Sequence, residues 1–344
     1  MVRALAADLD HVLDHTRESW EELRGQRMFI TGGTGFFGRW LLESFTWANE
    51  RLNLGARAMV LTRNPDRFHT VAPHLAGNAA VELLAGDVKS FEFPAGEFSH
   101  VIHAATDSAV AQSAIEEMKT IVRGTERCLE FTMRAKSRKM LFTSSGAVYG
   151  KQPAEIRHIS EEYAGAPDPL LASSAYGEAK RLAELQCVLA AQGSQVEVKI
   201  ARCFAFVGPY MNLNVHFAVG NFLRDQMRGG PIVVKGDGTA VRSYLYAADL
   251  AIWLWTMLFR APSGRAYNVG SEESVSIAEL ANAVAGIAEP KSEVRIEGKP
   301  TGAPPARYVP ATQRAERELG LRQWISLPDA LSRTREWFLA DAKS

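Results

Sequence analysis

A glycine-rich segment near the start of the chain, Thr31-Gly32-Gly33-Thr34-Gly35-Phe36-Phe37-Gly38, restricts the possible folds more than any other stretch. It follows the apolar run Met28-Phe29-Ile30 and precedes apolar residues at helical spacing, so its context is a strand, a turn and a helix. The segment matches G-x-G-x-x-G, in which glycine lets the backbone turn sharply and approach a pyrophosphate. Free N–H groups at the start of the next helix attract phosphate oxygens. The segment therefore predicts a dinucleotide-binding site, with residues 32–38 as its contacts.

Strand and helix patterns alternate along the chain up to residue 203. The predicted strands are residues 27–31, 57–62, 81–84, 99–103, 139–143 and 196–201, and the predicted helices are residues 4–24, 36–50, 108–135 and 174–192. Repeated β–α units of this kind predict an α/β fold with a Rossmann-type, doubly wound parallel sheet.

Glycine and proline interrupt this pattern repeatedly beyond residue 203. A helical pattern at 246–260 and a short apolar strand at 267–269 are expected to return to the main sheet. We therefore predict a dinucleotide-binding Rossmann domain made of residues 1–203, N-terminal helix included, and about 241–270. Residues from about 204 to 240 and from 271 to 344 are predicted to form a smaller C-terminal substrate-binding lobe.

Charge and cysteine content argue against several classes of protein. The 344 residues include 39 Lys plus Arg and 39 Asp plus Glu, a balance that gives no support to nucleic-acid or membrane-surface binding. The three cysteines lack C-x-x-C spacing and lie in apolar segments, which indicates reduced core residues and a cytoplasmic protein. No apolar run reaches membrane-spanning length, and no His/Cys/Asp cluster has the spacing of a metal site.

Ligands of such sheets bind at the carboxyl ends of the strands, so the residues there indicate which dinucleotide fits. Thr62 ends the second predicted strand, where an NAD-specific site normally has Asp or Glu for the ribose hydroxyls, and Arg63 follows it. A neutral residue followed by arginine suits the 2′-phosphate of NADP, with Arg39 as a further contact. The sequence therefore leaves NAD and NADP open and favours NADP.

The ends of the third and fourth strands complete the predicted cofactor site. Asp87 and Val88 follow the third strand, where Asp87 is expected near the adenine. The small residues Ala104, Ala105 and Thr106 follow the fourth strand and leave room for the cofactor. His103, within that strand, is expected to pack in the sheet rather than bind a ligand.

Tyr176 and Lys180 lie four residues apart on a predicted helix, so they share one face, and Ser145 follows the fifth strand. A free tyrosine has a pKa of about 10, which must fall by about three units, or roughly 4 kcal/mol, before it acts as a base near neutrality. The positive charges of Lys180 and of a nicotinamide ring can stabilise the phenolate. These residues predict proton transfer beside a nicotinamide, the chemistry of alcohol–ketone redox enzymes.

These motifs resemble those of the extended short-chain dehydrogenase/reductase family, and within it the nucleotide-sugar epimerases, dehydratases and reductases. The resemblance extends from Met28 to about Gly320 and includes Ala201-Arg202-Cys203-Phe204, Val207-Gly208-Pro209, Gly236-Asp237-Gly238-Thr239, Arg242-Ser243-Tyr244 and Asn268-Val269-Gly270. It implies that Tyr176 is the acid/base and that Lys180 holds the nicotinamide ribose and lowers the tyrosine pKa. Ser145 would then hydrogen-bond the reacting oxygen.

The resemblance also implies a nucleotide-diphosphate sugar as the substrate. The family's diphosphate contacts map onto Asn221 and Arg242, and Arg307 is similar to the arginine that holds the nucleotide end of the substrate. A planar guanidinium suits phosphate at such places. Ser144, next to Ser145, is a further candidate substrate contact.

Two departures from the family pattern narrow the reaction. The 4,6-dehydratases carry Asp-Glu directly after the catalytic hydroxyl and a decarboxylase branch carries Glu there, whereas this chain has Gly146 and Ala147. The Asn of the F-N-x-x-G-P element is Ala205 here, which indicates an unusual sugar or an unusual pose. We therefore predict an epimerase that acts by transient hydride transfer at a sugar carbon, C4, through a keto intermediate. An NADPH-dependent nucleotide 4-keto-sugar reductase is the alternative, and dehydration or decarboxylation is less favoured.

Two further predictions concern turnover and assembly. A regulator that binds the cofactor without turnover is disfavoured, because such proteins of this fold typically lose the Tyr/Lys pair. Family members pair through a four-helix interface, which implies a homodimer through the helices predicted at 108–135 and 174–192. The apolar residues compatible with that interface, which could equally cover the sheet, are Ala109, Ile115, Met118, Ile121, Val122 and Leu129.

Overall fold

The structure is a computed structural model that describes residues 2–106, 113–214, 217–300 and 302–342. In chain order, the strands are β1 (Arg27–Thr31), β2 (Arg57–Thr62), β3 (Val81–Ala85), β4 (His100–His103), β5 (Lys139–Ser145), β6 (Glu197–Cys203), β7 (Phe206–Val207), β8 (Ile232–Val234), β9 (Val241–Ser243), β10 (Leu245–Tyr246), β11 (Ala266–Val269), β12 (Ser274–Ser276), β13 (Val294–Ile296) and β14 (Arg307–Tyr308).

The helices cover both faces of the main sheet and parts of the C-terminal region. They are α1 (Val2–Thr16), α2 (Phe36–Arg51), α3 (Pro65–Val71), α4 (Pro73–Ala76), α5 (Ala114–Arg134), α6 (Ala175–Gly193), α7 (Ala218–Met227), α8 (Ala247–Arg260), α9 (Ile277–Ala285), α10 (Gln313–Leu319) and α11 (Leu327–Asp341). Short 3₁₀ helices span Arg17–Leu23, Gly146–Tyr149 and Ala172–Ser174.

The central sheet of the described chain has seven strands in the order β11-β6-β5-β4-β1-β2-β3, and every pair is parallel. This order confirms the predicted Rossmann-type fold. The chain winds outward in one direction from β1 to β3 and in the other from β4 onward, so a crevice opens beyond the carboxyl ends of β1 and β4. Such a crevice is where ligands of doubly wound sheets bind.

Most predicted elements lie within one or two residues of those in the structure. The predicted helix at 4–24 is instead divided into α1 and a 3₁₀ helix that begins at Arg17. At the division the Thr16 hydroxyl donates to the Val12 carbonyl and accepts from the indole N–H of Trp20, at 2.6 and 2.8 Å. The predicted return of the chain to the main sheet is confirmed, because α8 packs on β5 and β6 and β11 pairs with β6.

Two apolar layers cover the faces of the sheet. One contains α1, α2 and α8, and nearly every residue of α8 is buried. The other contains the inner faces of α5 and α6. Ile121 and Leu129 belong to this second layer and are 1% and 6% exposed, so they pack on the sheet rather than form the predicted dimer surface. Ala109 lies outside the described residues.

An exposed apolar patch remains on the outer surface of α5 and α6. Its members are Ile115, Met118, Leu182, Leu185 and Leu189, of which Leu185 is 53% exposed and Leu189 58% exposed. The three leucines lie at i, i+3 and i+7 on α6, so they form one stripe. This α5–α6 patch includes two of the residues predicted for the dimer interface.

The described residues of the C-terminal region form three small sheets, β10-β7, β12-β9-β14 and β13-β8. Strand β9 falls in the range predicted for the dinucleotide-binding domain but pairs with β12 and β14, both from the predicted lobe. This pairing brings residues after 300 to the carboxyl edge of the main sheet. In the part of the chain that the structure describes, no helix is long and apolar enough to cross a membrane.

Candidate active site

The glycine loop connects β1 to α2 through contacts that only glycine allows. Gly32 has a φ of 73°, and a Cβ there would lie 2.5 Å from the carbonyl carbon of Ala104. A Cβ at Gly38 would lie 2.2 Å from the Gly32 oxygen, and one at Gly33 would lie 2.5 Å from Val60 Cγ1. Only Gly35 meets nothing closer than 3.4 Å. The loop therefore presents the N-terminus of α2 without side chains in the way, which fits the pyrophosphate of a dinucleotide.

A cluster of buried polar side chains lies at the end of β1, where this loop begins. His103 Nδ1 is 2.7 Å from Thr31 Oγ1, and its Nε2 is 3.1 Å from Thr125 Oγ1. Burial lowers the pKa of His103 to about 3, so the imidazole is neutral and packs within the sheet, as predicted. The three cysteines are free and buried, which agrees with the prediction of reduced core thiols.

The residues predicted to select the cofactor lie at the end of β2 and beyond it. The Thr62 hydroxyl accepts from the Asn64 N–H at 3.3 Å, and Arg63 is exposed beside it. Arg39 donates from Nε to the Thr34 carbonyl at 3.2 Å, so its head is partly held within the glycine loop. Asp87 accepts from the Lys89 N–H at 2.9 Å. The preference for NADP over NAD stays a prediction.

Tyr176 and Lys180 lie on the face of α6 that packs on β5 and β6. Lys180 is 2% exposed, and its Nζ donates to the Thr143 carbonyl at 2.8 Å and to Thr106 Oγ1 at 3.0 Å. The Nζ lies 5.9 Å from the centroid of the Tyr176 ring. Burial lowers the pKa of Lys180 to about 8, because the interior disfavours its charge.

The pKa of Tyr176 is shifted in the direction opposite to the expected one. Burial raises it to about 12, and a hydrogen bond with Ser145 opposes this effect only in part. The predicted lowering by Lys180 is not found, because Lys180 is itself desolvated and donates to Thr106 and Thr143. The protein alone therefore keeps the phenol protonated, and a further positive charge is needed to lower its pKa.

The two serines at the end of β5 point to different partners. Ser145 Oγ accepts from the Ala147 N–H at 3.1 Å and lies 3.5 Å from Tyr308 Oη. Ser144 Oγ donates to Glu184 Oε1 at 2.5 Å on the opposite side of the strand. The predicted substrate contact of Ser144 would require this buried bond to break, whereas Ser145 already lies beside Tyr176.

A buried ion pair holds the catalytic helix against the sheet. Arg202 on β6 donates to both carboxylate oxygens of Glu184, with Nη2 2.7 Å from Oε2. Its Nη1 donates to Tyr149 Oη at 2.9 Å, and Tyr149 donates to Asn268 Oδ1 at 2.8 Å. The network links α6, β5, β6 and β11. The sequence contains the family segments with Arg202 and Asn268, but it does not indicate that these two residues form a network with Glu184.

Tyr308 is a site residue that the sequence did not reveal. Strand β14 places its hydroxyl beside Ser145, and its ring packs on Phe204 with centroids 4.7 Å apart. A Cβ at Gly146 would lie 2.7 Å from Phe204 Cζ and 2.8 Å from Tyr308 Oη. The volume that a side chain at position 146 would need is therefore already filled.

The predicted substrate residues are distributed over the lobe. Arg242 pairs with Tyr308 across β9 and β14, so the two side chains share one face of the small sheet, and Arg307 lies on the other face with Val241. Asn221 on α7 accepts from Arg224 Nη1 at 2.9 Å. The register thus brings Arg242 toward the catalytic edge and turns Arg307 away from the face that carries Tyr308. Among the residues that the structure describes, no group of three His, Cys, Asp or Glu could hold a metal ion.

Known proteins with similar sequences agree with the resemblance to nucleotide-sugar enzymes. The model of the NAD dependent epimerase/dehydratase family matches residues 28–270. The chain is similar to UDP-glucuronic acid decarboxylase 1 of Arabidopsis thaliana, at 31% identity over 314 residues, which are 89% of this chain and 68% of that protein.

Two solved structures share the fold. UDP-glucose 4-epimerase of Thermotoga maritima, determined with UDP-glucose, has a TM-score of 0.74 at 20% identity over 92% of this chain and 99% of that chain. dTDP-glucose 4,6-dehydratase of Streptomyces venezuelae, with NAD bound, has a TM-score of 0.76 at 23% identity over 92% and 98%.

Proposed function

Since this chain belongs to the NAD dependent epimerase/dehydratase family, as its glycine loop and Tyr/Lys pair predicted, we propose that it is a nucleotide-sugar epimerase. It inverts one sugar carbon, C4, through a transient keto intermediate. A UDP-linked sugar is the first candidate substrate, because the matched Arabidopsis protein is named for UDP-glucuronic acid and a solved relative in fold was determined with UDP-glucose.

The filled space around Gly146 is the observation that favours epimerisation over loss of water or of CO₂. Loss of water or of CO₂ in related enzymes uses an acidic side chain directly after the catalytic hydroxyl. Here the sequence has glycine, and the Phe204 ring and the Tyr308 hydroxyl fill the space where such a side chain would start. The remaining groups, Ser145, Tyr176 and Lys180, suffice to move one proton at one hydroxyl.

In the proposed mechanism, each residue acts on the reacting hydroxyl or stabilises its surroundings. Bound NAD supplies the reversible two-electron oxidation of an alcohol carbon. Tyr176 Oη removes the proton of that alcohol and later returns it, while Ser145 Oγ hydrogen-bonds the same oxygen. Lys180 holds its Nζ 5.9 Å from the centroid of the Tyr176 ring, and the positive nicotinamide ring of bound NAD would supply the further charge that the phenolate needs. Because Lys180 and Ser145 are almost fully buried, water competes little for these contacts.

We assign the binding of the nucleotide diphosphate to residues of the small C-terminal sheets and of α7. Arg242 shares a sheet face with Tyr308 and is therefore our first choice for a phosphate contact. Asn221 and Arg307 complete the set that the family resemblance implies, although Arg307 lies on the face of the small sheet opposite to Tyr308. Arg242 and Arg307 are each partly exposed.

Two other reactions each have one observation in their favour. The Thr62-Arg63 pair at the end of β2 lacks the acidic residue that binds the NAD ribose, which favours an NADPH-dependent 4-keto-sugar reductase. The name of the Arabidopsis relative favours decarboxylation of UDP-glucuronic acid. Both lead to products that differ from those of an epimerase.

The test begins with mass spectrometry of the nucleotide released when the purified protein is denatured. We expect stoichiometric NAD(H), since an epimerase recycles its cofactor, and this result would overturn the preference for NADP that Thr62 and Arg63 indicate. UDP-glucose and UDP-glucuronic acid are then incubated separately with the protein, without added cofactor, and followed by NMR. The expected product is the C4 epimer of one of them.

Three results would contradict the proposal. Release of CO₂ from UDP-glucuronic acid would identify a decarboxylase. A protein that is purified empty and binds NADPH in preference to NADH would indicate the reductase. Retained turnover in Tyr176→Phe would remove the assigned base, because losing a general base should reduce kcat by roughly 10²- to 10⁴-fold.

A further inference from the structure

Tyr308 places a second phenol at the catalytic edge. Its Oη lies 3.5 Å from Ser145 Oγ, and its ring is held against Phe204. Burial raises the pKa of Tyr308 above its usual value, so its hydroxyl stays protonated near neutrality. A neutral O–H group thus lies beside Ser145, in addition to the phenol of Tyr176.

The hydrogen-bonding capacity of Ser145 limits what this phenol can do. A serine hydroxyl has one proton and two lone pairs. The Ala147 N–H takes one lone pair at 3.1 Å. The Tyr308 hydroxyl is within reach of the other, at a distance longer than the usual value of about 2.7–2.8 Å for O–H···O bonds. Catalytic hydrogen bonds of this length commonly shorten when substrate binds.

The direction of the Ser145 proton follows from this count. When Tyr176 acts as a base, its oxygen and the reacting oxygen both need a donor, and Ser145 is the hydroxyl whose interaction with Tyr176 lowers the pKa of that phenol. If Ser145 donated to Tyr308 instead, its proton would be turned away from both oxygens. Donation from Tyr308 to Ser145 fills the second lone pair and leaves the Ser145 proton free for the reacting side.

We propose that Tyr308 is a positioning residue whose O–H donates to Ser145 Oγ and thereby directs the single Ser145 proton toward Tyr176 and the reacting oxygen. The assignment rests on the proposed function, since it concerns the same proton transfer. No bond to hydrogen is broken at Tyr308, because its proton is shared and not transferred. Gly146 belongs to the arrangement, since a side chain there would displace the Tyr308 hydroxyl.

Other groups also act on the titration of the two phenols. Lys180 on α6, Cys203 on β6 and Glu117 on α5 lie near Tyr176, and Arg242 on β9 lies near Tyr308. Replacing Tyr308 by Phe leaves all four in place. A shift in the Tyr176 titration of that variant therefore reports the lost hydroxyl.

The first experiment is a titration of Tyr176 in the NAD-loaded protein, followed by tyrosinate absorbance as the difference between each protein and the same protein carrying Tyr176→Phe. We expect Tyr308→Phe to raise the apparent pKa of Tyr176 by roughly half to one pH unit, the effect of one weakened hydrogen bond. Gly146→Ala should act in the same direction. Tyr163→Phe and Gly193→Ala are matched controls that should leave the titration unchanged, and a Cβ at Gly193 meets nothing within 4 Å.

A double-mutant comparison tests whether the effect passes through Ser145. In a Ser145→Ala background, Tyr308→Phe should no longer shift the titration. In the turnover assay, Tyr308→Phe should lower kcat roughly three- to tenfold at neutral pH, with an unchanged KM for the nucleotide sugar. An unaltered Tyr176 titration, or the same shift without Ser145, overturns the proposal. The titration needs no turnover, so it separates this inference from a failure of the proposed epimerase activity.

Discussion

Removing the charge of Glu184 should destabilise the protein strongly, although Glu184 takes no part in the proposed proton transfer. Its carboxylate accepts from Arg202 Nε at both oxygens, from Arg202 Nη2 at Oε2 and from the Ser144 hydroxyl at Oε1. The side chains of Arg202 and Glu184 are 18% and 10% exposed. Glu184→Gln preserves the shape and leaves the Arg202 guanidinium without its counter-charge.

The expected loss follows from this burial. Breaking a fully buried ion pair by removing one partner costs about 3–5 kcal/mol. Because this pair retains some exposure and Gln keeps one acceptor oxygen, we expect the free energy of unfolding to fall by about 3 kcal/mol. Glu178 on the same helix is a matched control, since its Oε2 lies 3.7 Å from Arg181 Nε and this pair is more exposed. The side chain of Glu178 is 32% exposed and that of Arg181 is 41% exposed. Glu178→Gln should cost less than about 1 kcal/mol.

Urea unfolding followed by circular dichroism measures both values under the same conditions. The double variant Glu184→Gln/Arg202→Gln should be less unstable than the sum of the two single variants, by roughly 2 kcal/mol, because the uncompensated charge is gone. Equal losses for Glu184→Gln and Glu178→Gln would refute the reasoning. So would additivity of the two single variants, since it would mean that the pair is not coupled.

Three further predictions concern the glycine loop, the buried lysine and assembly. Gly32→Ala should cost at least twice as much in urea unfolding as Gly25→Ala. Both glycines have positive φ, and Gly25, with open space around it, should lose only roughly 1–2 kcal/mol. The stability of wild type relative to Lys180→Met should rise by about 3 kcal/mol between pH 8 and 10.5, measured by urea unfolding, because the folded protein releases a proton there that the unfolded chain keeps. Leu185→Arg should convert a homodimer to a monomer in light scattering, whereas Ile296→Arg, on β13 and 47% exposed against 53% for Leu185, should not.

The parallel sheet could be predicted because its signals are local. The strands from β1 to β6 are short and largely apolar, and α2, α5 and α6, which follow β1, β4 and β5, have apolar residues at helical spacing. The glycine loop carries its own geometric requirement, which the structure shows as contacts of 2.5 Å or less at Gly32, Gly33 and Gly38. Tyr176 and Lys180 are four residues apart on one helix, so their proximity also needs no information from elsewhere in the chain.

The electrostatics of the site could not be predicted in the same way. The sequence indicates that Lys180 lies near Tyr176 and that its charge favours the phenolate. The structure shows that Lys180 is buried and Tyr176 partly buried, so desolvation raises the pKa of Tyr176 and lowers that of Lys180. The magnitude of burial depends on how α5, α6 and β6 pack around the pair, and that packing has no signature in the spacing of the two residues.

The two serines at the end of β5 illustrate where prediction from sequence stops. Alternation along a strand requires Ser144 and Ser145 to point to opposite faces, but it does not say which of them faces Glu184 and which faces Tyr308. That choice depends on Arg202, which lies on the neighbouring strand, and on β14, whose register against β9 is set more than 150 residues later in the chain. The same register decides that Tyr308 and Arg242 approach the site while Arg307 faces away. The reactive pair is therefore encoded locally, whereas the groups that orient its proton are assembled by the lobe. Substitutions in β9 or β14 should consequently have a larger effect on kcat than on the affinity for the cofactor.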